Sequence, residues 1–471
     1  MKKSTIILGI AISVAIVVTS CVESTEIVEV ENTITTDVVV QLKGQPYADN
    51  NGAIPTKEEY ADTLYHIKHD FLDSANVDWS KPWTEFLKGE EVSVKTAAGY
   101  IDILKERVRP GMSVLLNDSK KWNESRDDYN WYGSPWTSQN VPLDATVGSA
   151  KYSGREAISG SYTGQIIDSS IFHKYGLAKK PIQNHAVVYY NDVAALTLAS
   201  VWANPWEPDY LDGNTQLKEG AIVIKAAGVT VSAEEWPKYL KGCSTFDIYR
   251  PMIHDNTHTN VVQTLSYIQF DIIVKDSIAS PETGWVFSTF IYDASSTAET
   301  VYDRFTLLGV MWGLDPEVNT KKETLTENYI NPSAPDFTKV TLGFCGRLAG
   351  PIDIANLVGY QKINGDSVSY TPSSSCLSCH GTAAFNSIVN FYPSPDSIKY
   401  IPPKRLYPIG KPDWMEWYVN KPGTEPQDKR QGKNVVAVDY DFVMMFALGN
   451  WADITGLEER NKTRRNFPTH K

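Results

Sequence analysis

The feature that most constrains this chain is a short motif in its C-terminal part, Cys376-Leu377-Ser378-Cys379-His380. Two thiols three residues apart lie on one side of a helical turn, so each can form a thioether with one vinyl group of a haem. The adjacent histidine is then held under the iron as its axial ligand. The pattern therefore predicts one covalently bound haem c, attached through Cys376 and Cys379 and ligated by His380.

The N-terminus predicts export and lipid anchoring. Lys2 and Lys3 precede an apolar run of about 13 residues, and a membrane-spanning helix needs about 20. Small residues then lead to Cys21, which is the order of a signal ending in a lipobox. Residues 1–20 are predicted to be a cleaved signal peptide. Cys21 is then expected to carry lipid that anchors the protein to a bacterial membrane, on the periplasmic side or at the cell surface. An ordinary signal peptide cut elsewhere is the alternative.

Two other uses of a C-x-x-C pair agree less well with the sequence. A thioredoxin-like dithiol starts a helix after a buried strand, whereas a Ser-rich loop precedes Cys376. A zinc site needs a second pair of ligands, and the other cysteines beyond the predicted signal, Cys243 and Cys345, are solitary. Those two could form a disulfide in an oxidising compartment, but the sequence does not give the distance between them.

Composition predicts a folded protein with more than one module. The chain is 42% hydrophobic, with 13 Trp and 25 Tyr, which is enough for a sizeable core. Residues 21–55 are predicted to be a lipid-anchored flexible tether. We expect an N-terminal accessory module over 56–200, a β-sheet haem domain over 201–395 and a C-terminal surface extension over 396–471.

Charge limits the partners of the protein. The net charge of -12, without a long Lys/Arg cluster, argues against nucleic acid. An acidic surface suits a basic redox partner protein or a small neutral or cationic ligand, and does not choose between them.

Periodicity predicts an α+β fold that is rich in β-structure. Helical spacing is visible over 97–108, and residues 57–60 resemble a helix start. Strand-like runs occur at residues 186–190, 193–198, 220–225, 262–274 and 285–292. They predict an antiparallel sheet, in which Asn191-Asp192 forms a hairpin turn between the first two strands. Residues 308–373 read as long loops over one sheet face.

The iron position opposite His380 separates an electron carrier from a site for small ligands. Met415, Met444 and Met445 are the candidates for a sixth ligand, but the last two lie in an apolar run, 442–448, that is typical of core. Two histidine pairs could bind metal but are more typical of surface positions; they are His66 with His69 and His254 with His258.

Four stretches resemble the β-sheet c-type cytochromes that comprise cytochrome c-prime-beta and the hydroxylamine-oxidising cytochromes with lysine-cross-linked haem. The stretches occur in the same order as in that family and cover about residues 214–395. The first three are Glu219-Gly220-Ala221-Ile222-Val223-Ile224-Lys225, Phe270-Asp271-Ile272-Ile273-Val274-Lys275-Asp276 and Gly284-Trp285-Val286-Phe287. The fourth is Cys376-Leu377-Ser378-Cys379-His380-Gly381-Thr382-Ala383-Ala384, followed by Phe391-Tyr392-Pro393.

The resemblance implies a five-coordinate haem against an antiparallel sheet, with His380 proximal and the distal side open. Lys225 matches the lysine that forms the haem cross-link, and Asp271 falls where the catalytic members carry a distal glutamate that relays protons. The expected function is haem binding and electron transfer, with a distal site able to bind or oxidise hydroxylamine or nitric oxide. A haem-based gas sensor, a six-coordinate electron carrier and a ligand-binding lipoprotein with an auxiliary haem are the alternatives.

Overall fold

A computed structural model describes residues 53–68, 70–71, 73–135, 155–167, 171–178, 180–205, 207–253, 259–313, 324–352, 362–363, 366–367, 375–385, 422–424 and 435–454. The α-helices are α1 (Pro82–Leu87), α2 (Ala97–Asn117), α3 (Ser119–Ser125), α4 (Asp192–Val201), α5 (Pro237–Leu240), α6 (Cys376–His380) and α7 (Phe442–Ile454). Short 3₁₀ turns occur at Ser74–Asn76, Arg126–Tyr129, His173–Tyr175, Tyr302–Arg304, Asp336–Thr341 and Phe344–Gly346.

Eight antiparallel strands form the main sheet, in the order β1-β2-β3-β5-β6-β7-β8, with β4 paired to β5. They are β1 (Tyr162–Ile167), β2 (Ile182–Tyr190), β3 (Ile222–Val229), β4 (Thr245–Pro251), β5 (Asn260–Lys275), β6 (Trp285–Tyr292), β7 (Phe305–Met311) and β8 (Asn328–Ile330). Two small pairs join β9 (Lys362–Ile363) to β10 (Asp366–Ser367) and β11 (Ala384–Phe385) to β12 (Val436–Ala437). The predicted β-rich α+β class with an antiparallel sheet is confirmed.

The two faces of the sheet carry different parts of the chain. On one face α2 packs, where the Lys105 ammonium lies 5.1 Å from the centre of the Phe290 ring and the Tyr100 hydroxyl donates to Asp276 at 2.8 Å. Side chains alternate along a strand, so Phe287 points to the other face. Its ring lies 5.0 Å from that of His380, which places α6 there. The sheet therefore separates α2 from the C-x-x-C-H segment.

The predicted hairpin at Asn191-Asp192 is wrong. The first run is strand β2, but the second is helix α4. Asn191 has an extended backbone, and its side chain accepts a hydrogen bond from the Ala194 amide, so it is the N-cap of α4. An Asn-Asp pair serves as turn or as helix cap, and the alanine-rich segment that follows it favours the helix.

The prediction for residues 57–60 is also wrong, because they form a single turn and no helix. Thr56 and Glu59 bond each other's backbone amides through their side chains, which closes that turn locally. The helix predicted over 97–108 is confirmed within α2. The strands predicted over 220–225, 262–274 and 285–292 are confirmed in β3, β5 and β6.

Two predictions for the C-terminal half need correction. The segment 308–373 contains the end of β7 and the edge strand β8, so part of it extends the sheet instead of covering it. Helix α7 lies in the core, because Met444 and Leu448 are almost fully buried. The prediction that this part of the chain is a surface extension is therefore wrong. The prediction that the apolar run 442–448 belongs to the core is confirmed. The division at residue 200 stays a prediction, and the sheet contains strands from both sides of it.

Candidate functional site

The C-x-x-C-H motif folds as the short helix α6. Ser375 caps this helix by accepting from the Ser378 amide, and the Ser378 hydroxyl accepts in return from the Ser375 amide at 2.9 Å. This reciprocal pair satisfies two amides that a helix start would otherwise leave without partners. Cys376 is half-buried and Cys379 is buried. The local sequence thus holds both thiols on one helical turn, as the motif predicts.

His380 is oriented by a backbone carbonyl. Its Nδ1 lies 2.9 Å from the Tyr440 carbonyl oxygen. A carbonyl only accepts, so Nδ1 carries the proton and donates, and the lone pair of the ring is on Nε2. This is the tautomer in which histidine ligates metals, with the second nitrogen bonded to an acceptor of the protein. The imidazole ring lies between Phe287 and Phe442, at centroid distances of 5.0 and 4.7 Å.

A tight turn supplies that carbonyl. The Asp441 amide donates to the Val438 carbonyl at 2.9 Å, and both central residues, Asp439 and Tyr440, have positive φ, of 51° and 67°. Positive φ at both central positions is the mark of a type I′ turn. The Val438 amide also donates to the Ala383 carbonyl at 3.2 Å, which ties the turn to the segment just after α6.

Asp441 connects the turn to α7 and to the sheet. Its carboxylate accepts from the Val443 and Met444 amides at the start of α7. The Tyr190 hydroxyl of β2 donates to both of its oxygens, at 2.9 Å each. Burial raises the pKa of Asp441 to about 6, because an apolar environment disfavours the charged form even though these donors favour it.

Lys225 and Asp271 meet on the same sheet face. They are direct neighbours across β3 and β5, and the Lys225 Nζ lies 3.2 Å from Asp271 Oδ2. Thr289 of β6 pairs with Asp271 on its other side, and Phe287, two residues before Thr289, lies on the same face. The two residues predicted from the resemblance therefore lie on the same sheet face as Phe287, whose ring contacts His380 of α6.

Gln269 is a third member of this group that sequence reasoning missed. Its Nε2 donates to Asp271 Oδ2 at 2.7 Å, and its side chain is fully buried. The Ile352 amide donates to Gln269 Oε1 at 3.5 Å, and Asn184 of β2 donates to the Ile352 carbonyl at 2.9 Å. The segment at Ile352 thus lies over this part of the sheet. The sequence contained a signal for this contact, because Gln269 lies two residues before Asp271 in a predicted strand and such residues point to the same face.

The other predicted ligands are in different surroundings. Met444 and Met445 are buried in α7, in agreement with a core role. His66 Nε2 lies 2.9 Å from Asp127 Oδ2 on the surface. Cys243 and Cys345 are not joined by a disulfide. Other predicted positions lie outside the described residues; they are Cys21, His69, His254, His258 and Met415.

The donor set agrees with a covalently bound haem. Two thiols on one helical turn can form the thioethers, and His380 has the tautomer that leaves Nε2 for iron. Within the described residues no three His, Cys, Asp or Glu side chains cluster as a metal site. A c-type haem needs only one or two protein ligands to iron, because the porphyrin supplies the other four.

No family model, curated protein or solved structure matches the chain. Within the part of the chain that the structure describes, none of the helices has the length and apolar character needed to cross a bilayer.

Proposed function

We propose that the protein is an exported, lipid-anchored monohaem c-type cytochrome of the β-sheet kind, with an open distal iron site. The carrying observation is the arrangement of His380, whose Nδ1 bonds the Tyr440 carbonyl while its ring contacts the sheet face that holds Lys225 and Asp271. A haem bound to Cys376 and Cys379 would supply an iron that exchanges one electron and binds a small ligand. The proposed activity is electron transfer, coupled to binding or oxidation of a species such as hydroxylamine or nitric oxide.

Asp271 is the proposed proton acceptor. The Lys225 ammonium forms an ion pair with Asp271 Oδ2, and the Gln269 amide donates to the same oxygen, so both partners fix the position of the carboxylate. Asp271 is buried, so its carboxylate is shielded from bulk water. Lys225 has the proposed role of forming the haem cross-link, and before haem is attached the ion pair with Asp271 holds its side chain on the same sheet face as Phe287. Forming the bond would require Lys225 Nζ to lose its extra proton, a porphyrin C–H bond to break, and an external two-electron oxidant to accept the electrons released.

The decisive experiment is expression of the full chain, with its signal, in a host that attaches haem, followed by optical and electron paramagnetic resonance spectra. We expect covalent haem with a high-spin ferric signal. Replacing both thiols, Cys376→Ala with Cys379→Ala, is expected to abolish haem staining on a denaturing gel, whereas the matched control Cys243→Ala is expected to keep it. Haem staining retained in the double variant would refute the attachment site, and a low-spin ferric signal would refute the open distal site.

The same preparation tests Lys225. Mass spectrometry of the haem peptide after proteolysis is expected to give two linked peptides in the wild type and one in Lys225→Ala. A wild-type digest with a single haem peptide would remove the cross-link from the proposal and leave the attachment through cysteine intact.

A further inference from the structure

The turn that presents its carbonyl to His380 is held by one buried carboxylate. Asp439 is fully buried, and three groups from different parts of the fold donate to it. Lys275 Nζ at the end of β5 and Trp285 Nε1 at the start of β6 donate to Oδ1, at 2.7 and 2.8 Å. The Leu217 amide, ahead of β3, donates to Oδ2 at 2.8 Å.

These bonds fix the backbone at a position that would otherwise be unfavourable. Tyr440 has a φ of 67°, in the left-handed region that a bulky side chain seldom occupies. Such a conformation is strained and persists only where the surroundings determine it. Two sets of contacts hold Tyr440 in this conformation. The hydrogen bonds of Asp439 fix the preceding residue, and the Tyr440 ring packs against Phe287 and Trp285.

The space around Asp439 is closely filled. A Cβ added to Gly423 would lie 1.9 Å from Asp439 Oδ1, so another backbone segment passes directly against the carboxylate. The Asp439 side chain therefore has little room to move. Because Asp439 is fixed, the backbone of the next residue in the chain is also restrained. That residue is Tyr440, whose carbonyl accepts from His380.

We propose that Asp439 is a positioning residue for the haem ligand, because it fixes the turn whose Tyr440 carbonyl sets the hydrogen bond to His380. A hydrogen bond on the second ring nitrogen raises the basicity of a metal-bound imidazole and fixes its orientation. Through the hydrogen bond between Tyr440 and His380, Asp439 would tune the strength of the iron–histidine bond. The inference rests on the proposed function, since it requires that His380 ligate iron.

The test compares Asp439→Asn with Asp276→Asn. Asparagine tolerates positive φ, so the backbone conformation itself is not penalised. An amide, however, offers one acceptor oxygen to three donors and directs its NH₂ group at one of them. Asp276 is the matched control, because it is also buried but bonds Tyr100 on the α2 face of the sheet.

The readout is the iron–histidine stretching frequency of the ferrous protein by resonance Raman, together with the midpoint potential. In Asp439→Asn we expect covalent haem, a stretch shifted to lower frequency and a raised potential, since a weaker hydrogen bond makes the imidazole a poorer donor. In Asp276→Asn the frequency is expected to stay at the wild-type value. An unshifted frequency in Asp439→Asn would overturn the proposal.

A second variant keeps the test informative if Asp439→Asn does not fold. Trp285→Phe removes one donor to Asp439 and keeps an aromatic ring, and we expect a smaller shift in the same direction; no shift would again overturn the proposal. Failure of the proposed function gives a different result, because a wild-type protein without covalent haem has no iron–histidine stretch at all.

Discussion

The Lys225–Asp271 pair shows how a single register places a charge pair inside a sheet. The two side chains are 19% and 9% exposed, and Gln269 adds a hydrogen bond to the same carboxylate oxygen. Removing one member of such a pair leaves a largely buried charge without its counter-charge, which destabilises more than removing both. The pair therefore has a stability signature that can be measured independently of any bound group.

A double-mutant cycle with Asp271→Asn and Lys225→Met, made in the Cys376→Ala and Cys379→Ala background without covalent haem, is expected to give a coupling free energy of about 1–2 kcal/mol in urea unfolding. The matched control is the pair Lys238–Asp336, whose side chains are 63% and 55% exposed at an N···O distance of 3.4 Å. Its coupling is expected to be below about 1 kcal/mol because water screens exposed charges. Equal coupling in the two cycles would show that burial does not strengthen the Lys225 pair.

At the scale of elements, Asn191 joins the end of β2 to helix α4 and to the start of β3. Its Oδ1 accepts from the Ala194 amide in the first turn of α4 and from the Ile222 amide of β3, each at 2.9 Å. Its Nδ2 donates to the Gly220 carbonyl at 3.1 Å. The side chain is thus both a helix cap and a brace for the strand that carries Lys225.

Asn191→Ala is expected to lower the free energy of unfolding by about 2 kcal/mol, because it removes a helix cap and leaves buried backbone groups without partners. Urea denaturation of the full chain measures this. The control is Asn214→Ala at an exposed position, where a change below about 0.5 kcal/mol is expected. If Asn191→Ala lowers the free energy of unfolding no more than the control does, the stabilising role assigned to Asn191 would be contradicted.

For the whole molecule, Asp441 makes stability depend on pH. Its pKa is about 6 in the folded protein, above the value near 3.9 expected for an unfolded chain. Between these values the folded state binds more protons than the unfolded state. Stability from this group is therefore present below about pH 4, decreases as the pH rises towards 6 and stays lower above it.

Asp441→Asn is expected to remove this dependence. Relative to the variant, the wild type should lose about 2 kcal/mol of unfolding free energy between pH 4 and pH 7. Urea unfolding of both proteins at the two pH values measures the difference, and contributions from other groups cancel in the comparison. A parallel pH dependence in the two proteins would show that Asp441 has an ordinary pKa.

Much of the local structure follows from local patterns. The spacing of Cys376, Cys379 and His380 predicts a helical turn, and the cap at Ser375 agrees with the Ser-rich residues around it. The strands β3, β5 and β6 were predictable because their β-branched and aromatic residues form continuous runs bounded by turns. Asn191-Asp192 shows the limit, since its chemistry suits a turn and a helix cap equally.

What the sequence by itself determined is the chemistry of the motif and the type of most core elements, because both depend on residues close together in the chain. The tertiary structure decided what the motif faces. Asp439 lies 59 residues after His380 in the chain. The carbonyl of the next residue, Tyr440, nevertheless orients that histidine. Lys225 and Asp271 meet only because the register of β3 and β5 places them opposite each other, and pairing between distant segments is decided by the packing of the whole sheet.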